Sequence, residues 1–119
     1  MELGRQGEAV AEAFLRARDY RILARNFRCR SGEIDIVALD GNMLVFVEVR
    51  SRRGDRAGTP LESVTPRKQQ QVVRVARVFL SQRGWSERCA RFDVVGVRFD
   101  DDPPIVEHIA AAFDAQGAA

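Results

Sequence analysis

The chain reads as a single α/β domain over residues 1–119, with a mixed central sheet flanked by helices in the order α-β-β-β-α-β-β. Three observations predict this. Apolar residues recur at helical spacing in two segments, near residues 4–18 and 66–82. Short runs rich in Val, Ile and Phe lie between and after them, and Asp40-Gly41-Asn42 joins two of those runs with the residue pairs that tight hairpins favour. A chain of 119 residues buries roughly two thirds of its unfolded surface, so neither a disulfide nor a structural metal is required for folding.

Residues 4 to about 18 predict the first helix, because Val10, Ala11, Phe14, Leu15 and Ala17 cover one broad face. Glu8 falls about 20° around the axis from Leu15, at the edge of the buried stripe, where a carboxylate can point into a cleft. Tyr20 to Asn26 is the first strand; Glu33 to Leu39 and Met43 to Ser51 are the next two, paired antiparallel across the hairpin. Residues 53–60 and 100–104, rich in Gly, Pro and Asp, read as loops.

Thr65 followed by Pro66 supplies an N-cap and a first-turn proline for the second helix. Val72, Val75, Ala76, Phe79 and Leu80 carry that helix to about Gln82, and Gly84 ends it. Strands at Phe92 to Phe99 and Ile105 to Ile109 complete the order. Trp85 reads as a hydrophobic cap on the helix end, with base stacking as the lesser alternative.

Hydrophobic residues make up 45% of the chain and charged residues 30%, the balance of a soluble globular protein. The longest apolar stretch, Met43 to Val47, is too short to span a bilayer, and the first residues lack a signal-peptide layout. No membrane partner and a cytoplasmic location are therefore expected. Cys29 and Cys89 form no C-x-x-C pair and stand beside a single histidine, His108, which leaves no zinc-finger ligand set. Two inert, buried or half-buried thiols are expected. The lone histidine also argues against histidine-based nucleases and Ser-His-Asp hydrolases, leaving a tuned carboxylate or lysine as general base.

The net charge is only +2, but it is unevenly spread. Arg21, Arg25, Arg28 and Arg30 stand in a decapeptide without an acid. Residues 50–77 hold eight basic residues, among them Arg52, Arg53, Arg56 and Arg67, against two acids, Asp55 and Glu62. Basic flanks around the central acids Glu33, Asp35, Asp40 and Glu48 suit a metal site that receives a polyanion; the structural alternative is a solvated mixed-charge surface. Lys68 is the single lysine among 19 basic residues, which singles it out.

Strand alternation places Glu33, Asp35 and Val37 on one face of their strand, and Leu44, Phe46, Glu48 and Arg50 on one face of the next. A two-residue turn then sets Asp35 opposite Glu48 or one diagonal step away, with Cβ atoms about 5 to 8 Å apart. Both carboxylates are embedded in apolar sequence, where an unpaired charge costs several kcal/mol. Either a divalent cation or a neighbouring arginine such as Arg50 must compensate them. Oxygen-only ligands favour magnesium or manganese over zinc.

Taken together, Gly4-x-x-Gly7-Glu8, Asn26, Gly32-Glu33-Ile34-Asp35-Ile36-Val37-Ala38, Phe46-Val47-Glu48-Val49-Arg50-x-Arg52, Lys68 and Arg91-Phe92-Asp93-Val94-Val95 resemble the YraN family of uncharacterised bacterial proteins. The resemblance covers residues 4 to about 113. That family is similar to archaeal Holliday-junction resolvases and to the PD-(D/E)XK superfamily. The resemblance therefore implies a restriction-endonuclease-like core, with Asp35 and Glu48 as metal ligands and Glu8 as a further ligand or water-mediated contact.

One departure is Arg50, which stands where the superfamily motif has lysine: guanidinium clamps phosphate but does not exchange a proton as an ammonium can. Lys68, near the third position of the second helix, is the candidate to supply that function; a retained surface lysine is the alternative. Asp93 fits a satisfied structural acid, and Gln69, Gln70 and Gln71 fit a solvated helix face. The expected activity is magnesium-dependent cleavage of DNA, on branched or distorted structures, with Asp35, Glu48, Arg50 and Lys68 catalytic and Arg50, Arg52, Arg53, Arg67 and Lys68 binding nucleic acid. A homodimer is compatible with this. The alternatives are a nucleic-acid-binding module that keeps the fold without cutting, favoured by Arg50, and a protein-interaction domain.

Overall fold

The computed structural model describes residues 3–54, 59–100 and 102–115. Asp55 and Arg56, counted in the charge pattern above, and Asp101, in the predicted 100–104 loop, lie outside the described residues. Helix α1 (Leu3–Ala17) is followed by β1 (Arg21–Cys29), β2 (Gly32–Asp40) and β3 (Met43–Arg52). A 3-10 turn (Leu61–Ser63) then precedes α2 (Pro66–Gln82), β4 (Ala90–Arg98) and β5 (Ile105–Phe113). The five strands lie side by side in sequence order; β3 and β4 are parallel and the other neighbours antiparallel. The parallel step requires a crossover, and α2 supplies it.

Each helix buries one stripe against one sheet face. Ala11 and Leu15 of α1 pack over Ile36, Ala38, Val45, Val47, Val49, Val95 and Val97. On the other side Val72, Val75, Ala76 and Phe79 of α2 pack over Val37, Leu44, Phe46, Phe92 and Val94. β3 is buried on both faces, which explains its continuous apolar run. Among the described residues no helix is long and apolar enough to cross a membrane.

Two strands outrun their expected ends. β1 continues past Asn26 because Phe27, Arg28 and Cys29 keep pairing with Ile34, Glu33 and Gly32 across a two-residue turn. The alternating charges of that hairpin resemble loop sequence and conceal it. β5 runs beyond Ile109 to Phe113, whose ring stacks on Phe92 at 5.2 Å. Cys29 is half-buried as expected, but Cys89 is exposed, since it precedes the first pairing residue of β4.

Candidate functional site

The β2–β3 hairpin turns through Gly41-Asn42, and its ladder runs from Asp40 opposite Met43 to Ile36 opposite Val47. Asp35 and Glu48 are the next residues in phase, just beyond that ladder. The strands change there: the Asp35 carboxylate accepts the Val49 backbone N–H at 2.8 Å. Alternation also slips at this point. Ile34 joins Val37 beneath α2 although Ile36 faces α1. Across β1 the residue opposite Asp35 is Asn26, whose left-handed φ of 50° interrupts regular strand geometry. The expectation that Glu33, Asp35 and Val37 share one face by simple alternation is corrected by this irregularity, which directs Asp35 toward β3.

Glu48 follows Leu44 and Phe46 on the α2 side of β3 and is only 2% exposed. Its Oε1 is buried without a hydrogen-bond partner, and its Oε2 lies 3.9 Å from Lys68 Nζ. Burial, reinforced by the Asp35 charge, pushes the Glu48 carboxyl up to about 8. Burial also raises Asp35 to about 6, against the lowering effect of the Val49 N–H and with a further upward push from Glu8. Two neighbouring acids raised by desolvation, Glu48 also by the Asp35 charge, with one Glu48 oxygen left without a partner, form a strained pair at neutral pH.

Local sequence explains why Lys68 arrives here. The Thr65 hydroxyl caps α2 by accepting the Lys68 backbone N–H at 3.2 Å, which sets Lys68 as the third helical residue. Its ammonium donates to Gln71 Oε1 at 3.3 Å, while Gln71 Nε2 donates to the Ser31 carbonyl at 3.0 Å in the β1–β2 turn. Gly32, at φ 141°, is pressed against Gln71: a Cβ there would stand 2.7 Å from Nε2. The solvated-face expectation for the glutamines is therefore corrected at two positions. Gln71 ties the lysine to the turn, and Gln69 is 8% exposed with its Nε2 on the Val64 carbonyl. A glutamine on the same helical face as Lys68 was the available signal for Gln71; Ser31 and Gly32 acquire their part only through the hairpin.

The remaining candidates divide. Glu8 Oε1 is held by Asn26 Nδ2 at 2.8 Å, so it approaches Asp35 as a neighbouring charge rather than joining the pair. Among the described residues no three acidic, His or Cys side chains converge as a metal cage. The side chains of Asp35 and Glu48, with the orphaned Oε1, nevertheless fit a hard cation that keeps water and substrate oxygens in its remaining positions. Arg50 shares the Glu48 side of β3 and its charge acts on Glu48, but its Nη2 donates to the Ser63 carbonyl at 2.9 Å. Arg53 lies over Phe99, and Arg67 is exposed on the first turn of α2.

The basic surface is smaller than the sequence tally. Arg25 pairs with Glu12 at 3.1 Å and Arg28 with Glu33 at 2.9 Å, partners contributed by other segments. Asp93 is a satisfied structural acid: fully buried, it binds Arg91 Nε at 2.8 Å, His108 Nε2 at 2.7 Å and the Ala111 N–H at 3.0 Å. Burial alone would raise its carboxyl, but these bonds hold it below the usual range. Trp85 packs its ring edge on Phe79 with Arg83 and Arg88 over it, as a helix-end cap does.

The profile of the uncharacterised protein family UPF0102 matches residues 7–97. Proteins bearing that family name are similar over most of this chain. One from Anaeromyxobacter dehalogenans is 52% identical over 115 residues, 97% of this chain and 86% of its own. Another from Geotalea uraniireducens is 48% identical over 113 residues, 94% of this chain and 89% of its own. A solved structure described as that of SSO0001 aligns with 96% of this chain and 53% of its own, at 16% identity and a TM-score of 0.38, too low a likeness to bear on the fold.

Proposed function

We propose that this chain, which belongs to the uncharacterised protein family UPF0102, is a metal-dependent endonuclease with a PD-(D/E)XK core, acting on DNA and on its branched or distorted forms. One observation carries the reading: a buried carboxylate, Glu48, and a half-buried one, Asp35, stand beside a lysine, and one oxygen of Glu48 has no partner. Purely structural acids in this same protein look different. Asp93 has every oxygen engaged and a depressed carboxyl, whereas Asp35 and Glu48 are raised. Leaving a buried polar atom unpaired costs about 1–3 kcal/mol, a cost that binding a cation removes.

Asp35 and Glu48 would hold the ion, and Glu8 would contact it through water. Magnesium or manganese bound there supplies an activated water and stabilises charge developing on the phosphodiester. Lys68 is positioned by Thr65 and Gln71 to hold the scissile phosphate or move a proton, the work the superfamily lysine performs. Arg50 is anchored on Ser63, so its part is to grip the strand beside the reacting phosphate. Arg52, Arg53 and Arg67 add backbone contacts, the cytoplasm is the expected setting, and a homodimer is compatible with it.

A purified-protein assay across single-stranded, duplex, flap and four-way-junction DNA tests this. Cleavage should require magnesium or manganese and vanish in Asp35→Asn with the fold intact. If no substrate is cut above the Glu48→Gln background, the reading fails and a binding module with the nuclease core takes its place.

A further inference from the structure

A cavity of about 690 Å³ opens between the 3-10 turn, the end of β3, β4 and the edge strand β5. Arg50, Arg52 and Arg98 line it together with the acids Glu62 and Glu107, and Pro60 and Ile105 provide apolar surface. The volume lies within the range of small-molecule sites, which pair apolar walls with a few convergent polar groups.

The wall is held in place before any ligand arrives. Thr59 N–H donates to Glu62 Oε1 at 2.7 Å and Glu62 N–H to Thr59 Oγ1 at 3.2 Å, a reciprocal cap on the 3-10 turn. Ser63 Oγ donates to the Pro60 carbonyl at 2.6 Å, and the Ser63 carbonyl receives Arg50. The Pro60 ring lies directly on the β4 backbone at Gly96, where any Cβ would collide with it. Arg50 Nε–H is buried with no acceptor, an unmet donor in the cavity wall. Glu48 and Arg50 are two residues apart on the same side of β3, about 7 Å along the strand. That separation is one step along a polynucleotide backbone.

We propose that this cavity is a nucleotide subsite: it takes the phosphate next to the scissile one on its arginines, which outnumber the acids Glu62 and Glu107, and the attached sugar and base against Pro60 and Ile105. Only the continuity of that strand with Asp35 and Glu48 rests on the nuclease reading; the pocket itself needs neither metal nor cleavage. Its selectivity lies in accepting a phosphate together with an apolar ring, where simple electrostatics would accept any anion.

The test is titration of the metal-free full chain, in EDTA at low salt, with a deoxynucleoside 5′-monophosphate, the matching nucleoside and inorganic phosphate, read by NMR or calorimetry. The monophosphate should bind more tightly than either of the others. Ile105→Glu, which places an acid on an exposed rim residue and spares the core, should weaken it about tenfold or more, and Arg52→Gln should do the same. Equal binding of monophosphate and inorganic phosphate, no binding at all, or indifference to Ile105→Glu and Arg52→Gln would each overturn the proposal. A chain that binds the monophosphate but never cuts DNA refutes the nuclease reading alone; one that cuts but binds no monophosphate refutes the subsite alone.

Discussion

Replacing Glu48 by glutamine should abolish metal binding and yet stabilise the metal-free protein at neutral pH. The Glu48 carboxyl rises from its ordinary 4.5 to about 8, chiefly through burial. Because the folded value is raised, the proton favours the native state. Stability is full below about pH 4.5 and is lost as pH climbs toward and through 8. Neutral pH lies well inside that window. Each pH unit within it costs about 1.4 kcal/mol, so at pH 7 the deficit is about 3 kcal/mol. Glutamine fills the same space without ionising and forfeits only a weak contact to Lys68 at 3.9 Å. A net gain of about 2 kcal/mol, or roughly 8 °C in Tm for a domain of this size, should remain at pH 7 and shrink toward nothing at pH 4.5. Thermal melts of both proteins in EDTA between pH 4.5 and 8.5 measure this directly. Added magnesium should then raise the Tm of the wild type and leave Glu48→Gln unmoved. Parallel stability curves, with the glutamine variant lower at every pH, would refute the argument and make Glu48 an ordinary structural partner of Lys68.

Other substitutions probe the neighbours. Lys68→Arg keeps the charge but loses proton exchange, so cleavage should fall by about 10²-fold or more, and adding Arg50→Lys should recover part of it; unchanged cleavage in Lys68→Arg ends that role. Asp93→Asn should cost about 1.5–3 kcal/mol at pH 7 in denaturant unfolding, by removing the buried charge that Arg91 and His108 bind, while Arg91 keeps Asp40 and Tyr20. Because the Asp93 carboxyl is depressed, its contribution is present above the ordinary carboxylate range and disappears as pH falls, the opposite trend to Glu48; a constant difference down to pH 2 would contradict it. Gly32→Ala should displace Gln71 and lower cleavage with little loss of binding to DNA at fixed salt, measured by gel shift against nicking rate. Equal loss of both would place Gly32 in the fold and not in the positioning of Lys68.

The pattern of apolar residues alone determined both helices, the β2–β3 hairpin and the cap that begins α2, because each is a local periodicity or a turn written in adjacent residues. It also determined that Asp35 and Glu48 fall in phase, since a two-residue turn leaves little freedom of register. The full lengths of β1 and β5 were hidden, because their last residues are held by pairing and by the Phe92–Phe113 stack against distant strands. Arg28 and Glu33 likewise read as free charges until the hairpin brought them together. Tertiary structure alone decided that Asp35 turns to the Val49 amide, that Glu8 is tethered by Asn26, and that Lys68 is joined through Gln71 to Ser31. It also decided that Arg50 swings to Ser63 and helps wall a cavity with Arg98, nearly fifty residues away. Each of these depends on where a long side chain finds its hydrogen-bond partner, a choice among nearby groups that exist as neighbours only after the sheet and both helices have packed.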